Sequence, residues 1–258
     1  MKPTAAIAAL LLLLAAAANA VRADVVKGGN VIVTFDGGIS PLKLPRSGVA
    51  PVSVGIESSF AAADGSDPPP QLRRISIGIN RKGRLFSRGL PTCRVGRIQP
   101  STIAAAKRIC GGAIVGHGRV GVRVNLPNQK PFDFKGPLLA FNAKPNKGRR
   151  RLLAQVYGLR PPSAFVLTFR IRRKGGTYGT VIETNLPKSA RDWAYVTRFE
   201  MTLRRTYVWR GKRRSFLSAG CPAPAGFPGA IYPFARGKFA FADGQRVVSE
   251  EAGNCKVR

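Results

Sequence analysis

One histidine and 12 acidic residues stand against 43 lysines and arginines in 258 residues. General acid–base catalysis ordinarily needs His or paired carboxylates, so most of that chemistry has no residues to work with. No Gly-x-Ser-x-Gly elbow frames Ser218-Ala-Gly-Cys221, which excludes that stretch as a nucleophile elbow. Gly-rich phosphate loops, EF-hand loops and His-Glu-x-x-His motifs are absent as well. The carboxylates are too few and too dispersed for calcium. Neither a metal nor a cofactor is therefore expected. Beyond the N-terminus no run is long and apolar enough to span a membrane as a helix.

The first residues, MKPTAAIAALLLLLAAAANA, are the exception. Lys2 supplies a basic start, Ala5 to Ala18 an apolar run, and Ala18-Asn19-Ala20 a small-residue cleavage site. This predicts a secretory signal peptide over residues 1–20, since the run is shorter than a membrane anchor needs. The expected location is secreted or extracellular, with association to the cell envelope as the further expectation.

The net charge of +31 is the extreme property of the chain. A GC-rich genome could explain Arg over Lys but not the shortage of acids. Such a chain attracts polyanions, here anionic cell-envelope polymers or lipid head groups. Nucleic acid ranks lower, because an exported chain seldom meets it and no nucleic-acid-binding motif occurs.

The four cysteines are 93, 110, 221 and 255. Their spacings do not match a zinc signature. In an exported chain they read as two disulfides, with three possible connectivities. Cys93 with Cys110 and Cys221 with Cys255 is favoured, because each pair stays within one half of the chain.

Most segments alternate apolar and polar residues with period two, as half-buried strands do. Examples are VIVTF from Val31, ISIGI from Ile75, VGVRV from Val120 and FEMTL from Phe199. Asp36-Gly37-Gly38 and Asp243-Gly244 suit tight turns. Residues 101–110 predict one short helix, with a Ser/Thr start, an Ala-rich body and a Gly-Gly stop. The expected fold is all-β, of sandwich type, with antiparallel sheets.

Markers recur in order along the two halves. Thr34-Phe35 matches Thr168-Phe169, Ile56-Glu57-Ser58 matches Ile182-Glu183-Thr184, and Arg74 to Ile79 matches Arg198 to Leu203. Basic turns, Cys93 with Cys221, and Gly112-Ala-Ile with Gly229-Ala-Ile follow. This predicts two related β repeats, 24–145 and 152–258, sharing one core or forming two domains. Residues 144–151 read as the connector.

SAGCPAPAGFPGA, with LPRSGVAPVSVGI and GLPTCRVGRIQPST, resembles a family of exported actinobacterial proteins. The resemblance spans nearly all of the chain after residue 20. It implies export and a bacterial source. The family has no known activity to carry over, so no catalytic or binding residue follows from it.

Basic clusters are the main binding candidates: Arg81, Lys82 and Arg84; Arg149, Arg150 and Arg151; Arg172, Arg173 and Lys174; and Arg210, Lys212, Arg213 and Arg214. Tyr207 and Trp209 interleave with the last cluster. That pattern suits a polyanion or carbohydrate surface. It equally suits a solvated hairpin whose rings pack inward, and that plainer reading is favoured for this hairpin.

No catalytic residue is assigned. His117 aligns with Phe234 in the other half, which demotes it. Glu57 and Glu183 occupy matched places, either as an acid–base pair of a carbohydrate- or lipid-active enzyme or as salt-bridge partners. Arg119 and Arg236 recur in both halves and are expected to pair with those two glutamates. A third reading is a lipid or small-ligand carrier with a cavity between the sheets. The leading expectation is a non-enzymatic, exported basic protein that associates with the anionic envelope.

Overall fold

The computed structural model describes residues 23–99, 101–159, 162–187 and 193–258. The expected signal peptide over residues 1–20 lies outside the described residues. In chain order, β1 (Asp24–Gly28), β2 (Val31–Ser40), β3 (Lys43–Leu44), β4 (Ala50–Pro51), β5 (Ser53–Ala62), β6 (Leu72–Ile79) and β7 (Gly83–Leu85) come first. Two short helices follow, α1 (Val95–Ile98) and α2 (Ile103–Cys110). Then come β8 (Ile114–Val124), β9 (Phe132–Asn146), β10 (Arg149–Leu159), β11 (Pro162–Arg173), β12 (Thr180–Asn185) and β13 (Ala194–Leu203). The chain ends with β14 (Thr206–Trp209), β15 (Lys212–Ser215), β16 (Leu217–Ala219), β17 (Gly229–Phe241) and β18 (Arg246–Val257).

The protein is all-β. Thirteen strands form one sheet in the order β1-β2-β5-β13-β8-β9-β10-β11-β12-β6-β17-β18-β3. Small sheets β14-β15 and β4-β16-β7 sit beside it. Alternation sets the faces: in β5, Val54, Ile56 and Phe60 are buried while Gly55 and Glu57 lie on the other side. The sheet curls so that its inner face meets itself. Phe60 of β5 sets its ring edge against Phe239 of β17 at 5.2 Å, and Phe169 of β11 lies 6.2 Å from Phe199 of β13. A single core cluster draws on both halves of the chain. The two ends of the sheet meet at a seam, where the Asp24 carboxylate accepts from Ser249 Oγ at 2.5 Å and Glu250 N at 3.1 Å.

Residues 144–151 are not a connector. β9 and β10 run through them and turn tightly at Lys147-Gly148. Their alternation is missing for a physical reason: both faces of β9 and β10 are covered. Leu138, Leu139, Ala140 and Phe141 are all buried, as are Leu152, Leu153 and Ala154. One face meets the main core. The other meets a satellite cluster under α1 and α2, with Ile98, Ala106 and Cys110. A doubly covered strand reads as a continuous apolar run.

α2 is shorter than a self-sufficient helix. Thr102 Oγ1 caps it by accepting from Ala105 N at 3.2 Å, and the Cys93–Cys110 disulfide ties its last turn to the segment before α1. Cys221–Cys255 forms as well.

The sheet order gives the two sequence halves a topological counterpart. Five consecutive strands, β2-β5-β13-β8-β9, parallel five others, β11-β12-β6-β17-β18, with β6 and β13 exchanged between halves. The registers agree residue by residue. Asp36 faces Glu57 as Arg170 faces Glu183, and Glu57 faces Glu200 as Glu183 faces Ser76. Bulges agree too: β8 skips Val115 where β17 skips Phe234, and β13 skips Thr197 where β6 skips Arg73.

Candidate anion-binding surface

Four basic turns emerge at one end of the curled sheet. β6 ends level with the start of β12, since Ile79 faces Thr180. β11 ends beside the start of β10, since Arg170 faces Arg151. β13 ends level with Gly116 of β8, which in turn faces Ala140 of β9. The turns after β6, β9 and β11 and the β14–β15 hairpin therefore share that end. Short contacts join them. Arg81 N donates to Thr177 O at 2.8 Å, and Arg150 Nη1 donates to Leu85 O at 2.7 Å. The Arg214 guanidinium lies 5.5 Å from the Phe86 ring. Burial, with Arg173 nearby, lowers the Arg150 pKa.

The basic clusters singled out from the sequence lie in or beside these turns, except that Arg172 of β11 pairs with Glu183. Among the described residues, Arg81, Lys82, Arg84, Arg149, Arg150, Arg173, Lys174, Arg210, Lys212, Arg213 and Arg214 make no ion pair. No described acid lies there either. Asp64, Asp67, Asp133 and Asp243 are at the opposite end, and the remaining described acids sit along the strands. Two hairpin tips place cations at left-handed positions: Lys147 at φ 47° before Gly148, and Arg210 at φ 51° before Gly211. Two-residue hairpins with positive φ at both positions favour Asn or Asp first. A Lys or Arg there costs about 1 kcal/mol, which the fold alone does not explain.

In the β14–β15 hairpin, Tyr207 Oη donates to Arg88 O at 2.8 Å, and Trp209 packs 5.6 Å from Phe86. The rings anchor the hairpin against the segment after β7. The arginines around them face outward.

A recess of about 670 Å³ opens on the outer face of β11, β12, β6, β17 and β18. Its cations are Arg74, Arg172, Lys174, Arg236, Lys238 and Arg246, against Glu183 alone. Glu183 is 3 % exposed and lies under three arginines. Its Oε2 accepts from Arg74 at 2.5 Å and Arg172 at 2.8 Å, and its Oε1 lies 3.8 Å from Arg170. Burial pushes the Glu183 pKa up, but the Arg74 and Arg172 hydrogen bonds outweigh it and hold it below the ordinary value. The Arg236 guanidinium stacks 4.4 Å over Tyr178, whose hydroxyl donates to Glu250 at 2.9 Å.

Several expectations change. Arg236 pairs with Glu250 at 2.6 Å rather than with Glu183, and Glu57 is held by Arg198 at 2.6 Å rather than by Arg119. Arg119 lies across from Glu200 and makes no ion pair among the described residues. The register aligns His117 with Arg236, not Phe234, because His117 faces Thr202 as Arg236 faces Gly78. It aligns Arg119 with Lys238 in the same way. The identical residues had suggested a pairing two positions off, and a slip of two keeps every side chain on its face. Glu57 and Glu183 sit on β5 and β12, six strand intervals apart along the sheet. Measured around the curl at about 4.8 Å per interval that is roughly 29 Å, and the core lies between the two outer faces. They cannot act on one substrate as a carboxylate pair. The space between the facing walls, where a carrier would need a cavity, is filled by Phe35, Phe60, Phe169, Phe199 and Phe239.

One group escaped sequence reading altogether. Glu251 is 2 % exposed at the seam, and its Oε1 has no hydrogen-bond partner among the described residues. Burial first, then the charges of Asp36 and Asp24, push its pKa up to about 7 against a hydrogen bond from the Asp24 backbone. No described group of His, Cys, Asp and Glu is placed to hold a metal ion. No described helix is long and apolar enough to cross a membrane. Comparison with protein-family models, curated proteins and solved structures finds no match.

Proposed function

We propose that this is an exported, non-enzymatic β protein, built by duplication with exchanged strands, that associates with anionic cell-envelope polymers or lipid head groups through its cationic end. The observation that carries this reading is the convergence of four basic turns whose residues include no described acid and make no described ion pair. Two disulfides favour an oxidising compartment, as export requires. Matched registers and matched bulges support the duplication. Unpaired surface cations hold polyanions by attraction that salt screens within about 8 Å at physiological ionic strength. The expected outcome is retention on producing cells at low ionic strength and release by a high-salt wash. Protein found free in the medium at low ionic strength would sink the reading.

A further inference from the structure

The recess differs in construction from the basic turns. At the turns no carboxylate holds a cation, and Arg81, Lys82, Arg84, Lys212 and Arg213 are exposed. In the recess, a buried carboxylate holds two guanidiniums in place, because Arg74 and Arg172 donate to the same Glu183 oxygen. One negative charge against Arg74, Arg170 and Arg172 leaves an excess of positive charge. Each guanidinium carries five N–H donors in a fixed fork, and Arg74 and Arg172 each spend one Nη on Glu183. Lys238 is the next cation along the row, since Glu183 faces Ser76 and Ser76 faces Lys238. Lys174-Gly175-Gly176 lines the mouth, with Gly176 at φ 84°. Among the described residues, neither the Gly175 nor the Gly176 N–H donates to another group.

The other half of the molecule is an internal control. Its equivalent row runs Asp36, Glu57, Glu200, Arg119, where the recess has Arg170, Glu183, Ser76, Lys238. At the clamp itself, Arg74 and Lys238 have cations as counterparts, Arg198 and Arg119, whereas Arg172 and Lys174 answer to Gly38 and Ser40. The shared architecture therefore does not require Arg172 and Lys174, the two clamp cations that set the recess apart from the other half.

We propose that this recess is a discrete site for a phosphate group on a small hydroxylated carrier, clamped by Arg74, Arg172, Lys174 and Lys238. Bidentate guanidiniums match phosphate geometry, and lysines add compact charge. The volume of about 670 Å³ leaves room for the carrier beyond the phosphate. Tyr178, fixed between Arg236 and Glu250, forms a rigid wall. The proposal deepens the envelope-association reading by naming the chemistry the site takes. It also separates from that reading experimentally, because Arg84, Lys212 and Arg213 belong to the cationic end and lie outside the recess.

The test is calorimetric titration of the full chain with glycerol 3-phosphate, with glycerol as the neutral control. One-site saturable binding of glycerol 3-phosphate, and none of glycerol, is expected. Arg172→Ala with Lys238→Ala should weaken it tenfold or more, about what loss of one charged hydrogen bond costs. Arg84→Ala with Lys212→Ala and Arg213→Ala should leave it unchanged within about twofold while weakening retention on cells, because those residues lie outside the recess. Glu183→Gln adds positive charge but frees the guanidiniums. A preorganised clamp then binds more weakly, whereas diffuse attraction binds more tightly. Absence of saturable binding, equal loss in both sets of alanine variants, or tighter binding by Glu183→Gln would each overturn the proposal. Competition by phosphatidylglycerol vesicles assigns the phosphate to a lipid headgroup, and its absence assigns a soluble phosphate. Both outcomes support the site, since both require the saturable step.

Discussion

Arg84→Ala, Lys212→Ala and Arg213→Ala together lower affinity for phosphate-rich envelope polymer about a hundredfold at low salt. A lysine or arginine near an anionic lipid surface contributes about 1 kcal/mol, so three removals cost about 3 kcal/mol, or about a hundredfold. All three side chains are exposed at the cationic end and make no ion pair among the described residues. The matched control is Lys27→Ala, Lys130→Ala and Lys135→Ala, which removes the same charge from the opposite end. Its affinity should fall less than about threefold, because those residues lie several screening lengths from the contact. Equal losses in the two triple variants would mean that net charge, and not its placement, governs association. Co-sedimentation with isolated envelope across a protein titration measures both.

Glu251→Gln removes most of the pH dependence of stability and stabilises the protein at pH 8 by up to about 3 kcal/mol. The folded state holds the Glu251 proton up to about pH 7, while its ordinary pKa is 4.5. Between these values the native state binds a proton that the unfolded chain lacks, so stability falls as pH rises. Above about 7 the penalty is fully developed. A shift of this size corresponds to about 3 kcal/mol at 1.36 kcal/mol per unit, taken as an upper bound. Asp24 and Asp36 face the same seam and add repulsion once Glu251 ionises. Glu183 acts in the opposite sense. Its pKa is held down, so its contribution is present above the ordinary value and is lost as pH falls below it. The native chain should therefore be most stable near pH 5. Urea midpoints at pH 5 and pH 8 decide the matter. A midpoint that rises with pH, or an unchanged slope in Glu251→Gln, would remove Glu251 as the cause.

Strands with one wet face were legible in the sequence, because a buried position alternates with a polar one along β5, β6 and β13. The short helix was legible from Thr102 and the Ala-rich body. Both disulfides followed from keeping each pair within a half. β9 and β10 were not legible. Their second face is covered by α1 and α2, so the pattern that marks a half-buried strand is erased, and Pro145 with Lys147-Gly148 imitates a linker. That β6 lies between β12 and β17, and β13 between β5 and β8, leaves no local trace, since each strand keeps its own alternation whichever neighbour it joins.

The basic residues were visible, but their convergence was not, because it depends on which strand ends share a side of the sheet. The recess draws Arg74, Glu183 and Lys238 from three separate strands. Its pairing was misread because matching identical residues slipped the β8–β17 alignment by two, past the bulges at Val115 and Phe234. Glu251 was hidden for a related reason. Asp24, Asp36 and Glu251 meet only where the sheet closes on itself.

Hydrogen exchange with and without bound envelope polymer tests the cationic end most directly. Backbone amides in turns exchange readily unless something covers them. New protection is expected at residues 81–83, 147–148, 174–179 and 210–211. None is expected at residues 63–71, 125–131 and 242–245, at the opposite end. Protection confined to that opposite end, or spread evenly over both, would contradict contact through the cationic end.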